Sequence, residues 1–420
     1  MRISIPEQKI SIDYLLVYLL AAISGMPFFS GDIPVLGTFG LAFLVFLLRK
    51  EGFHRGYFFI LFAFLVLVCL HSLRFDNFPT NTYIGLFIKI SLGYLVVALT
   101  KEKFTYYYVD VIYYLSIISF FIFIPIFISQ EFGNLFNSLG LSSPFGEGGE
   151  KSLIVYHLNL DRPEGMYRNC GAFWEPAAHG GFLLIALMFN LINTNSLTDK
   201  KSLVLIITLI STLSTSVFVL LAFLVFSYLF FNQKLIVKII TVPIVVIGFI
   251  YAFTSIPFLG EKIEREVEQG NLSEEVKERG HISHTRLSSG LADIEDLKEN
   301  PLIGRGLFEL TFYDPTDVMA RHNGLTKHFA QFGIIGALIY FGAIFLSFKK
   351  LINFSNINRF MAWPFIILML MMGIAEAYFD KPFFWGLVFI YIVISSNSVF
   401  DEDQEYAEEH ISEKYAFHRQ

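Results

Sequence analysis

Charge is scarce in this chain. Only 16% of its 420 residues are Asp, Glu, Lys or Arg, where a soluble domain carries about 25%. Cysteine is scarcer still: Cys69 and Cys170 allow at most one disulfide. No C-x-x-C pair and no His/Cys ligand cluster exists, so neither a zinc site nor a thiol redox centre is expected, and no metal ligand or cofactor site is assigned. Positive charge shows no excess either. With 31 basic against 37 acidic residues the net charge is −6, and no domain-wide positive field is there to attract nucleic acid. A cleavable signal is also missing: the first apolar run begins near Ser11 and leads into another with no A-x-A site between them.

What is abundant is apolar surface. Hydrophobic residues make up 54% of the chain, with 48 Phe and 20 Tyr, and mean hydropathy is +0.57. One soluble core cannot bury that much, which excludes an ordinary cytosolic enzyme and a disordered chain alike. Apolar runs fall near 11–29, 33–48, 56–74, 83–99, 106–129, 172–194, 203–231, 235–256, 323–348, 360–376 and 383–398. The stretch 203–231 is too long for one untilted span and is divided by the polar patch Ser211, Thr212, Ser214, Thr215 and Ser216, so two short helices meeting at a polar tip are expected. The total is about twelve spans at roughly 20 residues each. Backbone groups in lipid must be satisfied internally and strand alternation is absent, so the fold expected is an all-α polytopic membrane protein.

Basic residues give the sidedness. Arg2 and Lys9, then Arg49, Lys50 and Arg55, then Lys101 and Lys103, then Lys200 and Lys201, Lys234, and finally Lys349, Lys350 and Arg359 fall in alternate connections. These are expected to be cytoplasmic, with both termini inside. Two long connections then lie outside. The resulting division is N-terminal helices over 1–130, an outer loop over 131–171, central helices with the short helix pair over 172–256, a large outer loop over 257–322, C-terminal helices over 323–398, and an acidic inner tail over 399–420.

Three polar clusters gather on the outer side. RNCGAFWEP contains Arg168 and Glu175 and enters a helix at Pro176. Glu175 is read either as a capping acid at the positive helix end or as a proton acceptor beside a phosphate-holding Arg168. HTRLSSG and ENPLIGRG supply Arg286 and Arg305, whose planar guanidinium groups suit phosphate oxygens, although an arginine in an acidic loop also serves as a salt-bridge partner. RHNGLTKHFAQFGIIG places Arg321, His322 and Asn323 at a helix mouth, with His328 and Gln331 beyond. His322 is suited to act as a base near neutral pH, or as an interfacial cap. Gly333 and Gly336 are spaced for close helix contact. Glu376 and Asp380 add an acidic rim, and Lys89 lies mid-span, where it snorkels or pairs inside the bundle.

These motifs resemble the O-antigen ligase and Wzy-type polysaccharide polymerase superfamily. The resemblance rests on R-x-x-G-x-F-x-E-P at Arg168 to Pro176, on Leu213 to Ser216, on the Arg286 segment, on N-P-L-I-G-R-G at Asn300 to Gly306, and on His322–Asn323 with G-I-I-G at Gly333 to Gly336. It covers about 165–380; the first 130 residues match in helix pattern alone. The family's L-T-x-S-R stretch stands here as Leu213–Ser216 followed by Val217. The resemblance implies a GT-C-like glycosyltransferase bundle of a bacterial inner membrane that works without a metal. Its substrate would be a glycan on a polyprenyl diphosphate carrier held in a lateral lipid groove, and its product would form on the outer face, with inversion at the anomeric carbon.

Carried over by motif, catalysis falls on His322, Glu175 and Arg286, and diphosphate binding on Arg168, Arg286 and Arg305. Arg321, Asn323 and Glu376 are secondary candidates. The first expectation is a polymerase that adds the glycan to another carrier-linked repeat unit, with a chain-length regulator and a flippase of the same pathway as partners. The alternative is an O-antigen ligase acting on lipid A–core. A multi-helix transporter is the third reading, suggested by Lys89 and the Ser/Thr tip. Against it stand the lack of a paired half-chain repeat and the gathering of charged clusters at one face.

Overall fold

Helix ends follow local chemistry. Ser11 caps α1 (Ile12–Gly25) by accepting from the Tyr14 N–H. Asp199 caps α8 (Lys200–Ser211) by accepting from the Lys201 and Ser202 N–H groups, and Asn323 caps α11 (Gly324–Asn353) by accepting from Thr326. Proline opens α7 (Pro176–Thr194) and α13 (Pro382–Val393), where its missing N–H costs no hydrogen bond. The computed structural model describes residues 11–76, 78–142, 151–158, 167–234, 239, 243, 286–307 and 322–394. The remaining helices among them are α2 (Asp32–Leu48), α3 (Arg55–Phe75), α4 (Thr80–Thr100), α5 (Phe104–Ile128), α6 (Gln130–Leu139), α9 (Thr215–Asn232), α10 (Arg286–Glu299) and α12 (Ala362–Ala375). One two-residue antiparallel ladder pairs Leu141 with Ser152.

α7 is the axis of the bundle. Every residue from Pro176 to Ile192 is buried, as expected for a helix that is apolar all round. α13 packs against α4 and α11. Its Gly386 meets Gly93 so closely that a Cβ on Gly93 would lie 2.5 Å from the Gly386 amide nitrogen. Small residues let the two backbones approach in this way. The outward faces are apolar too: Phe58, Phe59 and Phe62 on α3 are exposed, which suits lipid.

The bundle has two polar faces. On one, Arg49 pairs with Asp13 at 2.7 Å, Lys101 with Glu51 at 3.0 Å, and Lys201 with the buried Asp110. Asn358 is tied there to Asn232 and Phe231, and Asn195 to Asn356 and Tyr228. The opposite helix ends carry Glu175, Arg286 and Glu376.

The expected count of about twelve spans is overturned. Five helical segments among the described residues are long and apolar enough to cross a membrane: Arg55–Phe75, Thr80–Ile128 (α4 and α5 with the 3₁₀ turn between them), Pro176–Thr194, Thr215–Asn232 and Gly324–Asn353. The reason is that an apolar run is not a helix length. At 1.5 Å per residue, crossing about 30 Å takes roughly 20 residues. The run from residue 11 breaks when Met26 turns extended and a 3₁₀ turn follows at Pro27–Phe29, leaving α1 with 14 residues. α13 has 12 residues and α12 has 14. The run 203–231 does split at its polar tip, where Leu213 adopts φ 46° between α8 and α9. The expected spans over 235–256, most of the loop 257–322, and the acidic tail lie outside the described residues.

Both cysteines are free thiols: Cys69 is exposed, and the buried Cys170 donates to the His157 carbonyl at 3.1 Å.

Candidate functional site

Three segments far apart in sequence meet at one guanidinium. Glu175 ends the loop before α7, Arg286 opens α10, and Glu376 terminates α12. Arg286 Nη2 donates to Glu175 Oε1 at 2.9 Å and also contacts Glu376 Oε1. Two carboxylates therefore share one nitrogen. The Glu376 side chain is 7% exposed, against 33% for Glu175 and 25% for Arg286. Burial pushes the Glu376 carboxyl well above its ordinary range, and the neighbouring Glu175 carboxylate pushes the same way; Arg286 pulls it back in part. The group is two carboxylates gathered at one arginine. Glu175 makes no side-chain cap to α7, so its carboxylate is directed to Arg286 instead of to the helix end.

The scaffold beneath depends on a broken helix. Gly333 inside α11 takes φ 64°, ψ −173°, a region that only glycine adopts without strain. The break exposes backbone groups, and the turn Pro301–Gly306 satisfies them from both sides. The Pro301 and Leu302 carbonyls accept from the Ile334 and Ile335 N–H groups, while the Arg305 and Gly306 N–H groups donate to the Ala330 and Gln331 carbonyls. His71 Nε2 donates to the Ile303 carbonyl at 2.7 Å. The N-P-L-I-G-R-G motif is thus a backbone plug in a helix gap. Gly333 and Gly336 were expected to serve helix–helix contact; Gly333 instead admits the Leu302 carbonyl, which a Cβ there would meet at 2.3 Å. α10 is fixed over the start of α11, because Asp293 accepts from the Thr326 hydroxyl at 2.8 Å. Its opening residue, Arg286, is positioned by this docking.

The other expected site residues fall around this centre or away from it. Asn323 is buried at the α11 N-cap beside Gly290, and the next residue, Gly324, packs on the Glu376 and Ala377 backbone. His322, exposed, is therefore two residues from a direct contact with the Glu376–Ala377 backbone. Arg321 lies outside the described residues. Arg305 pairs with Asp296 at 3.1 Å, both side chains nearly inaccessible. Asp296 is ten residues along α10 from Arg286, about 15 Å of helix. Arg168 Nε donates to the Thr212 carbonyl at 3.3 Å, at the polar tip between α8 and α9, and Asn169 binds Ser119 and Ser211 there. His328 sits deeper in α11, ringed by Phe332, Tyr340, Phe341 and Trp385.

A lysine group adjoins the centre that the sequence did not single out. Lys327 Nζ is 3.8 Å and Lys381 Nζ 3.7 Å from the Asp380 carboxylate. Burial pushes the Asp380 carboxyl up, but Lys381, Lys327 and Lys89 together outweigh it and hold the group well below the usual carboxylate range. Lys381 Nζ also stands 5.8 Å from the Trp174 ring centroid. Trp174 immediately precedes Glu175, so this group lies beside the carboxylates. Lys327 was hidden in sequence as an ordinary first-turn lysine. Its spacing of one turn from Asn323 was the single available signal.

Residues 202–341 match the Wzy_C family model, described as O-Antigen ligase. The match takes in Arg286, Arg305 and His322 and stops short of Glu175 and Glu376. No curated protein matches the chain in a sequence comparison.

Proposed function

We propose that this chain, which carries an O-antigen ligase family domain and with it a glycosyltransferase-type role, moves a glycan from a polyprenyl diphosphate carrier to a hydroxyl of lipid A–core. The family match favours this ligase reading over the polymerase that the motifs first suggested. The observation that carries the proposal is the convergence of Glu175, Glu376 and Arg286 on one point at one face of a membrane bundle.

Glycosyl transfer needs two things at once. The acceptor hydroxyl must lose its proton, and the departing diphosphate must be stabilised as its charge grows. In the proposed step the hydroxyl oxygen forms a bond to the sugar C1. Its proton goes to a carboxylate of the Glu175–Glu376 pair. The C1–O bond to the diphosphate breaks, and its electron pair leaves with the phosphate oxygen. Attack opposite the leaving group inverts the anomeric centre. A carboxylate whose affinity for a proton is raised by burial is the stronger base for this purpose. Arg286 holds the pair in place and offers positive charge beside the reacting carbon. His322 and Asn323 are assigned to the acceptor sugar at the rim, and Arg321 to the same sugar. Arg168, at the tip of α8 and α9, is assigned to a phosphate contact as the carrier enters, while Arg305, paired with Asp296 and nearly inaccessible, is assigned to hold the 301–306 turn to α10. The face bearing Arg49, Lys101 and Lys201 is assigned to the cytoplasm of a bacterial inner membrane, which puts the Arg286 face outside.

The test is transfer in vitro. Purified protein in liposomes, given a radiolabelled polyprenyl-diphosphate oligosaccharide and lipid A–core, is expected to label the lipid A–core. Growth of a multi-repeat ladder on the carrier with donor alone would overturn the ligase reading in favour of the polymerase. No transfer in either mixture would overturn both.

A further inference from the structure

The arginines that sequence motifs nominate for phosphate binding are each engaged with protein groups: Arg286 with two glutamates, Arg305 with Asp296, and Arg168 with the Thr212 carbonyl. The excess of positive charge beside the site lies elsewhere. Lys327 from the first turn of α11 and Lys381 at the start of α13 stand at one carboxylate, Asp380, and Lys89 from α4 acts on it by charge. Three ammonium groups against this one carboxylate leave positive charge in excess within the group. Asp32, at the start of α2, acts on Lys89 as the weakest of its charged neighbours.

Geometry separates this cluster from a simple salt bridge. The ammonium–carboxylate distances of 3.7 and 3.8 Å exceed the 2.7–3.2 Å range of a hydrogen bond. Asp380 therefore gathers the lysines by charge without taking up their N–H donors, three on each. All three lysines are partly buried, where charge is screened less than at an open surface. Lys89 lies within an apolar helix, and an ionisable group at such a position is costly unless it is used. The cluster also adjoins the carboxylate pair: Lys381 Nζ stands 5.8 Å from the Trp174 ring centroid, and Trp174 immediately precedes Glu175.

We propose that Lys89, Lys327 and Lys381 form an anion cradle, arranged around Asp380, for a phosphate-bearing group of a lipid-linked substrate. Excess positive charge suits a diphosphate diester and equally a phosphate monoester near neutral pH. Two sources share that chemistry: the diphosphate of the carrier-linked donor and a phosphate on the acceptor glycolipid. The proposal rests on the transferase reading for its substrate class, but not for its existence as an anion site. It divides the site into a half that takes a proton, at Glu175 and Glu376, and a half that holds negative charge, at the lysines.

The full chain in a phosphate-free maltoside detergent is titrated with fluorescent polyprenyl diphosphate, polyprenyl alcohol, phosphorylated lipid A and its dephosphorylated form. Each of Lys327→Gln and Lys381→Gln is expected to weaken one phosphorylated lipid about tenfold, and the double variant about 100-fold, while binding of its phosphate-free counterpart holds. Asp380→Asn removes the competing carboxylate and is expected to tighten the same lipid, a gain that misfolding cannot imitate. Loss on polyprenyl diphosphate assigns the cradle to the donor; loss on lipid A assigns it to the acceptor. Wild-type affinity for both phosphorylated lipids in the double variant, with no gain in Asp380→Asn, overturns the cradle. If those variants still transfer glycan, the transferase reading stands without it. If the wild type transfers nothing yet the lysine variants lose phosphate binding, the cradle stands and the transferase reading falls.

Discussion

Glu376→Gln isolates the proton-accepting half of the site. The side chain is 7% exposed and touches the Arg286 nitrogen that Glu175 Oε1 contacts at 2.9 Å. Glutamine keeps the volume and an oxygen that accepts from Arg286, so the packing between α10 and α12 should hold. It removes one negative charge and the capacity to take a proton. If Glu376 receives the acceptor proton, turnover falls by about 10²- to 10⁴-fold, the usual share of a positioned base. Donor affinity should stay at the wild-type level, because the proposed diphosphate contacts lie on other residues.

The pH profile gives a second readout. Burial and the Glu175 carboxylate hold Glu376 protonated beyond the ordinary carboxylate range. The wild-type rate should therefore rise with pH along a limb above that range, as the base form appears, and the variant should lack this limb. Stability moves in the opposite sense. Above the ordinary carboxylate pKa the unfolded chain has released this proton while the folded chain still binds it. Stability is fully present below that pKa and falls as pH rises toward the folded value. Glu376→Gln should flatten that slope in thermal unfolding measured across pH. Wild-type turnover with an unchanged pH profile in Glu376→Gln would refute the assignment of the proton to this pair.

Arg286→Lys keeps the charge but loses the planar guanidinium whose Nη2 meets both carboxylates; transfer should drop about 100- to 1000-fold while insertion and abundance are preserved, read by the same liposome assay. His322→Ala should raise the KM for the acceptor with little change in donor binding, since the residue is exposed two positions before Gly324, which packs on the Glu376 backbone. Gly333→Ala should lower the melting temperature in detergent, because a Cβ would meet the Leu302 carbonyl at 2.3 Å and the backbone region alone costs about 1–3 kcal/mol for other residues. A cysteine placed at Lys350 should resist an impermeant thiol reagent on intact spheroplasts, whereas one at Lys298 on α10 should react; the reverse pattern would invert the proposed sidedness.

Much of the site was legible because its parts are local motifs. Proline after Glu175, the serine–threonine tip at 211–216 and the asparagine before Gly324 each announce a helix end by their own chemistry. The polar character of Arg168, Glu175, Arg286 and His322 in a chain so poor in charge marked them as costly and worth attention. The lysine group was not legible in the same way. Lys327 and Lys381 look like ordinary interfacial cations until Asp380 is seen between them.

The sequence by itself determined that this chain is a helical membrane protein, where its long run divides, and which motifs resemble the O-antigen ligase family, whose model matches residues 202–341, because composition, helix breakers and short spacings act within a few residues. Tertiary structure decided the rest. Against about twelve expected spans, the described residues hold five segments long and apolar enough to span, since helix length is set by where Met26 or Ile394 leaves the helical region and not by where hydropathy ends. It turned Gly333 from a contact residue into a gap filled by Pro301–Gly306. It also brought Arg286 to Glu175 and Glu376 across separations of 111 and 90 residues. Such pairings depend on how α10 docks on α11, and on Asp293 and Thr326 meeting there. No local pattern encodes that meeting, because its energy appears only when both elements are already folded.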